Sequence, residues 1–426
     1  MARGSDPMQA LTRARALNAI AFAAEHAVDP EGEGPLVLVK DNIAVRGMPW
    51  TAGSPLFVDV VAPRDAAAVT LIAAAGGRPA IRTTLHELAF GVTGANGWTG
   101  PILNPFSADH MAGGSSGGSA AALAVGLGDV SLVTDTGGSA RIPAAHCGIL
   151  GFRPSTGRYP ADGLIGLSPS RDTIGLMARD LDAIRWADAV LTPGQGGPAL
   201  PNARRIGVVA QDMLGPIAPD VATAYLRLCD LLRDAGWELR TVDLSAIFAC
   251  DEACGFAIAM HETHQSLLSA VPALTGHAYG DRLDAVATPD VAHMLALAAQ
   301  PLGDGVYAEA IGRGWPALRA AYAGVFGSGV DFLLTPTSPM TAPPVGTDAT
   351  MEFGGETLAV FPAYTRFTRP DSMAGLPSIS MPFGADGTGL PIGMMLAAPR
   401  FADRALLDAA GALLAIEGFP AAPAAL

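Results

Sequence analysis

Lysine is scarce in this sequence, cysteine is sparse, and no stretch stays apolar for long enough to cross a bilayer. Each shortage removes a class of protein. Basic residues number 26 against 40 acidic ones, a net charge of −14, and neither sign forms a long run. A nucleic-acid partner needs a basic face, which this balance does not supply. The four cysteines, Cys147, Cys229, Cys250 and Cys254, follow no paired pattern. Cys250 and Cys254 lack the His and Cys companions of a zinc site, so reduced buried thiols are expected, with no metal and no other cofactor. The opening MARGSDPMQA has no apolar signal core, and residues 1–7 read as an expression scar ahead of Met8. A cytoplasmic protein without a membrane span is the expectation.

Apolar residues, by contrast, make up half of the 426, enough for a large core. Their spacing predicts a helix over 10–27 and a short buried strand, LVLV at 36–39, that ends directly at Lys40. Further strands are expected at RPAIRTT, at 130–134, and in RRIGVVA, WELRTVDL, DFLLTP, PSISMP and LPIGMMLAA. Helices lie between them, and one at 402–416 closes the chain. Alternation of this kind means an α/β fold with a parallel or mixed sheet covered on both faces. No repeat or charged linker divides it. The reading is one domain over 1–426, with 1–9 a tag or frayed N-terminus, 194–202 a surface loop, and 418–426 a tail.

Residues 113–119, GGSSGGS, crowd four glycines and three serines ahead of an apolar helix. A phosphate cradle would need a following lysine or a preceding strand, and SADHMA at 107–112 reads as a poor strand. The same residues satisfy G-x-S-x-G twice, the nucleophile elbow of α/β-hydrolases, but overlapping matches in such a run are cheap. A second Gly-Gly-Ser is more informative. Ser139 follows the strand at 130–134 and a tight turn at Asp135–Gly138, 24 residues beyond Ser115. Backbone N–H groups of Thr136, Gly137, Gly138 and Ser139 can converge there into an anion nest fit for an oxyanion. A lysine can serve as base if burial lowers its pKa from about 10.4 towards neutrality. Lys40, at the end of an apolar strand, is the candidate, and the three residues make a Ser–Ser–Lys relay.

These residues resemble the amidase signature family. The resemblance rests on GGSSGGSAAALAVG, on TDTGGSARIPAAHCGILGFRPSTGR, on VKDNI around Lys40, and on the 24-residue serine spacing. Further echoes are LHELAFGVTGANGWTGPILNP (85–105), SRDTIGLMARDL (170–181), DFLLTPTSP (331–339) and MAGLPSISMPFG (373–384), so it spans about residues 35–415. It implies a mixed sheet flanked by helices and a metal-independent amidohydrolase. Ser139 would be the nucleophile, Ser115 the bridging serine beside a cis peptide, and Lys40 the base. Thr136, Gly137 and Gly138 would form the oxyanion hole. Ser116 and Ser119 would hydrogen-bond the loop, while Asp135 and Arg141 brace the turn. Val133 and Ala112 replace the family's usual Gly and Pro, outside the reacting groups.

The substrate is a small-molecule amide of unspecified kind, and a homodimer is left open. Residues 363–377 are expected to line the acyl pocket, with Arg366 and Arg369 reading the substrate; the plainer alternative pairs both with Asp371 or other acids at the surface. Three rivals share the motifs: the glutaminase component of a tRNA-dependent amidotransferase, an acyltransferase, and a silent binding protein.

Overall fold

The computed structural model describes the chain except residues 1–5, 30–31, 195–199, 201–202, 301, 348, 421–424 and 426. The loop expected at 194–202 and the tail beyond 420 therefore lie largely outside the described residues. Strands run in chain order as β1 (Ile20–Ala23), β2 (Leu36–Lys40), β3 (Arg78–Thr83), β4 (Leu103–Asn104) and β5 (Ser107–Met111). Next come β6 (Val130–Asp135), β7 (Leu150–Arg153), β8 (Thr173–Ala178), β9 (Arg205–Val209) and β10 (Glu238–Val242). The last are β11 (Phe332–Pro336), β12 (Thr350–Phe353), β13 (Glu356–Ala359), β14 (Ser378–Ala385) and β15 (Pro391–Ala397).

Eleven of these form one mixed sheet in the order β1-β3-β2-β6-β8-β7-β14-β15-β11-β9-β10. The run β3-β2-β6 is parallel, and so is β11-β9-β10; the remaining neighbours are antiparallel. In β2, Val37 and Val39 enter one apolar layer while Leu36 and Leu38 enter the layer on the opposite face. β6 divides likewise, Leu132 to one side and Val133 to the other. Side chains alternate along a strand, so a continuous apolar run is what a sheet covered on both faces demands. Among the described residues no helix is long and apolar enough to cross a membrane.

The structure departs from the sequence reading in several places, and the central strands β7 and β8 and the pair β12–β13 are not among the strands expected. The helix expected over 10–27 stops at Ala16, and Ile20–Ala23 pairs with β3 as the sheet's edge strand. Asn18 makes the break: it takes a φ of 56°, and its amide donates to the carbonyls of Thr99 and Gly100 at 2.8 and 2.9 Å. Asn is among the few residues that tolerate this conformation. Residues 107–111, read as a poor strand, do form one, but in a two-stranded ribbon with β4 outside the main sheet. The helix Ser245–Thr275 went unread because it is apolar nearly all round, which blurs the helical period.

One buried knot holds the turn that follows β6. Asp135 accepts from Arg141 Nη2 at 2.9 Å and Nε at 3.0 Å, and from Arg153 Nη1 at 3.1 Å. It also takes the N–H groups of Gly138 and Ala140, both at 3.0 Å. Arg153 Nη1 further bonds the Asp135 carbonyl. All three side chains are fully buried. Burial alone would raise the Asp135 carboxyl, but the two guanidiniums and the backbone donors hold it well below the usual carboxylate range. Breaking one member of such a cluster strands a charge in the interior, at a cost of about 3–5 kcal/mol. Asp135→Ala should therefore lower the stability by that amount or abolish soluble expression. A stability within about 0.5 kcal/mol of the parent, the range of an ordinary surface substitution, would count against the knot.

Candidate active site

Parallel pairing of β2 with β6 sets Val39 opposite Leu132, so both strands release their last residues at the same edge of the sheet. Open α/β sheets offer ligand sites at such carboxyl ends. There Lys40 is completely buried, its Nζ 2.7 Å from Ser115 Oγ and 2.9 Å from Thr134 Oγ1. Asn42 Nδ2 donates to the same Thr134 hydroxyl at 3.1 Å. Lys40 is also the chain's one lysine, the other 25 basic residues being arginine. Burial drives its pKa from 10.5 down to about 7, and the charges of Asp135 and Asp172 keep it from falling further.

Ser115 reaches the lysine from the loop between β5 and the helix Gly117–Ala124, through a cis Gly114–Ser115 peptide bond. The glycines here allow close approach. A Cβ on Gly118 would come within 2.4 Å of Thr84 Oγ1 and 2.5 Å of its carbonyl oxygen. Ser119 ties that helix to the sheet, within 2.6 Å of Thr83 Oγ1 and 3.0 Å of Ser131 Oγ. Ser116 makes only a long 3.5 Å contact with the Thr134 carbonyl.

Ser139 stands on the wall of a cavity with Thr136 and Gly137, facing Phe90, Leu167 and Phe361. The turn before it needs glycine: Gly138 has a φ of +132°, and a Cβ there would lie 2.3 Å from Thr368 Oγ1. Thr368 Oγ1 in turn donates to the Gly137 carbonyl at 2.7 Å. One of the N–H groups expected to form an anion nest is already engaged. The Gly138 N–H is engaged by Asp135, which leaves Thr136, Gly137 and Ser139 as the backbone donors beside the cavity. Thr136 has a further anchor, its hydroxyl donating to Asp172 Oδ1 at 2.5 Å.

The two arginines part company. Arg369 lines the cavity, but its Nε is paired with Asp251 Oδ2 at 2.6 Å. Arg366 is not on that wall; its guanidinium lies over Phe248, 5.1 Å from the ring centre. Asp371, the acid expected to pair with either, instead accepts from Tyr322 at 2.6 Å and faces Arg141. Among the described residues no histidine side chain bonds Ser115 or Ser139; His86 meets Ser115 only through its backbone N–H, which donates to the Ser115 carbonyl at 3.0 Å. His146, the nearest in sequence to Ser139, is buried with its pKa pushed down to about 4 and its Nε2 at the Met340 carbonyl. The elbow reading has no base.

Sequence reasoning missed Thr134, Asn42, Asp172, Arg153 and Arg171. All five stand inside stretches already singled out around Lys40, around Ser139 and at 170–181, and a count of lysines would have sharpened the case for Lys40.

Comparison with known proteins agrees with this geometry. The chain matches the Amidase family over residues 6–407. It is 32% identical over 386 residues to an indoleacetamide hydrolase of Rhizobium radiobacter, covering 89% of this chain and 83% of the relative. Identity to a glutamyl-tRNA(Gln) amidotransferase subunit of Deinococcus radiodurans is 33% over 418 residues, 90% and 84% of the two. An amidase crystal structure superposes with a TM-score of 0.82 at 31% identity, over 96% of this chain and 94% of that one. Likeness of this extent along both partners places the chain in the amidase signature family: it is a hydrolase of amide C–N bonds.

Proposed function

We propose that Ser139 is the nucleophile, Ser115 the proton relay and Lys40 the base of an enzyme that cleaves small amides with a neutral, flat or apolar acyl group. The observation that carries this reading is the 2.7 Å contact between the buried Lys40 Nζ and Ser115 Oγ. The loop bearing Ser115 packs against Gly91 and Val92 of the cavity on which Ser139 stands. A neutral amine has one lone pair; with an N–H directed to Thr134, the lone pair is free for the Ser115 proton. Ser139 Oγ then attacks the amide carbon as its own proton passes to Ser115 and the Ser115 proton to Lys40. The oxyanion forms against the N–H groups of Thr136, Gly137 and Ser139. Collapse breaks the C–N bond, the relay returns the proton to the departing nitrogen, and ammonia or an amine leaves. Water repeats the sequence on the acyl-enzyme, which restores Ser139.

A neutral acyl group follows from the charges on the wall. Arg369 is balanced by Asp251, and Arg171 faces Asp172, Asp251 and Glu262, so no unbalanced cation waits for a carboxylate. Phe90, Leu167 and Phe361 supply apolar surface instead. Similarity to indoleacetamide hydrolases supports an arylacetamide. A neutral arylacetamide should therefore exceed its carboxylate-bearing isostere in kcat/KM by at least about tenfold, or ~1.4 kcal/mol. Parity between them would sink the acyl-group assignment. Hydrolysis of glutamine, with partner proteins in the purified material, would favour the amidotransferase reading.

Ser139→Ala should lose turnover by about a thousandfold or more with the fold intact, and a fluorophosphonate should label Ser139. Adduct on Ser115 would overturn the assignment.

The base must be unprotonated to act. Since burial brings Lys40 to about 7, kcat/KM should rise with pH through that region and level off above it. Lys40→Ala should remove the rise together with most of the activity. A profile unchanged between about pH 5 and 9 would exclude lysine as the titrating group.

A further inference from the structure

The cavity wall carries two buried polar side chains whose hydrogen-bonding capacity the protein itself leaves unfilled. Its hydroxyl residues are Thr136, Ser139, Thr263 and Thr365. Thr136 donates to Asp172 Oδ1 at 2.5 Å and Thr365 to the Phe361 carbonyl at 2.7 Å. Ser139 is left for the substrate carbonyl. Thr263 is 1% exposed, and its hydroxyl has no hydrogen-bond partner among the described residues. Arg171, 6% exposed, lines the same cavity and makes no ion pair among those residues. Its Nε donates to Ser168 Oγ at 3.1 Å and its Nη1 meets Met373 Sδ at 3.7 Å, while its Nη2 has no partner there.

A buried carboxylate brings the two to one stretch of wall. Glu262 Oε2 accepts from Ser168 Oγ at 2.5 Å, and from the N–H and Oγ of Ser170 at 3.2 and 2.9 Å. The segment that bears Arg171 is thereby pinned to the helix Ser245–Thr275 at the residue before Thr263.

We propose that Arg171 and Thr263 form a polar subsite of the acyl pocket, one that takes a neutral hydrogen-bond acceptor, such as a ring nitrogen or an ether oxygen, on the acyl group of the amide. This subsite rests on the reading of Ser139 as the nucleophile. A guanidinium can only donate and a hydroxyl can donate, so an acceptor atom is the group that both can meet. A carboxylate fits less well, because Asp251 and Glu262 already match Arg369 and Arg171 in number. Phe90, Leu167 and Phe361 make the rest of the wall apolar, and in such a pocket a few polar groups fix the orientation of the ligand. A plain hydrocarbon ring would leave both donors dry and unpaired, a penalty that an acceptor on the ring removes.

Pyridylacetamides test the subsite. Nitrogen in place of one ring CH of phenylacetamide adds an acceptor without adding bulk, and in mildly alkaline buffer the ring is neutral. The advantage in kcat/KM of the best of the three pyridyl isomers over phenylacetamide is measured in the parent, in Thr263→Val and in Arg171→Met. Thr263→Val keeps the shape and removes the hydroxyl; Arg171→Met removes the donors. A ratio taken within each protein cancels the intrinsic reactivity of the two amides, and a general loss of packing would lower both substrates together and leave the ratio alone.

The parent should favour its best pyridyl isomer by about tenfold, and each variant should reduce that advantage at least about threefold. A reduction below about threefold in either folded variant overturns the proposal, as does a parent that favours phenylacetamide over all the isomers. Should Arg171→Met not fold, Thr263→Val decides by the same criterion. A parent that hydrolyses none of these amides, or a Ser139→Ala protein that hydrolyses them as the parent does, would defeat the Ser139 reading instead, a different failure.

Discussion

Everything at this site depends on one lysine held out of water. An ammonium group buried without a paired carboxylate is costly, and Lys40 meets only the hydroxyls of Ser115 and Thr134. A fall from 10.5 to about 7 corresponds to roughly 5 kcal/mol of added cost for the ammonium relative to water, which brings the neutral amine within reach near pH 7. The sheet provides that environment. β2 lies between β3 and β6, with apolar layers on both faces, so a side chain at its carboxyl end has little water to reach. Ordinary lysines carry a proton at neutral pH and cannot accept one. Burial of Lys40 weakens that hold until the neutral amine is present near pH 7, as the proposed base role requires.

The second constraint is directional. Backbone donors stabilise a developing oxyanion only if they are aimed before it forms, since reorienting them during the reaction would consume the benefit. For the proposed donors Asp135 would do the aiming from behind. It binds the Gly138 and Ala140 N–H groups and is itself locked by Arg141 and Arg153. Thr368 fixes the Gly137 carbonyl on one side, and Asp172 fixes the Thr136 hydroxyl on the other. The turn is thus held along its length by groups from β7, from the segment before β8, and from the helix Thr368–Ala374. Two buried arginines, Arg141 and Arg153, serve this geometry through Asp135.

On the proposed reading selectivity sits on different elements. The Ser115 loop and the Ser139 turn carry the proposed reacting groups, whereas the apolar surface of Phe90, Leu167 and Phe361 comes from other parts of the chain. Separation of this kind lets the wall change while the chemistry stays, which is how one scaffold can host relatives that act on different amides.

How much was legible depended on whether a feature is local. The alternation of strands and helices, the end of β2 at Lys40, and the glycine turns at Ser115 and Ser139 follow from residues close together in the chain, where composition and period dictate backbone shape. Those residues were visible in advance, as was the mixed sheet through the family resemblance. Features that depend on distant contact were not. Lys40 lies 75 positions from Ser115 and 94 from Thr134; the parallel register of β2 with β6 brings it to Thr134, and the packing of the loop before the helix Gly117–Ala124 brings it to Ser115. The use of the Gly138 N–H by Asp135, and the pairing of Arg369 with Asp251 118 positions away while Arg366 turns to Phe248, were likewise decided by packing. Sequence by itself determined which groups are present and the local shape that carries each. Tertiary structure decided which of them meet and how dry the meeting place is, because burial and Coulomb fields depend on distance in space and not on distance along the chain.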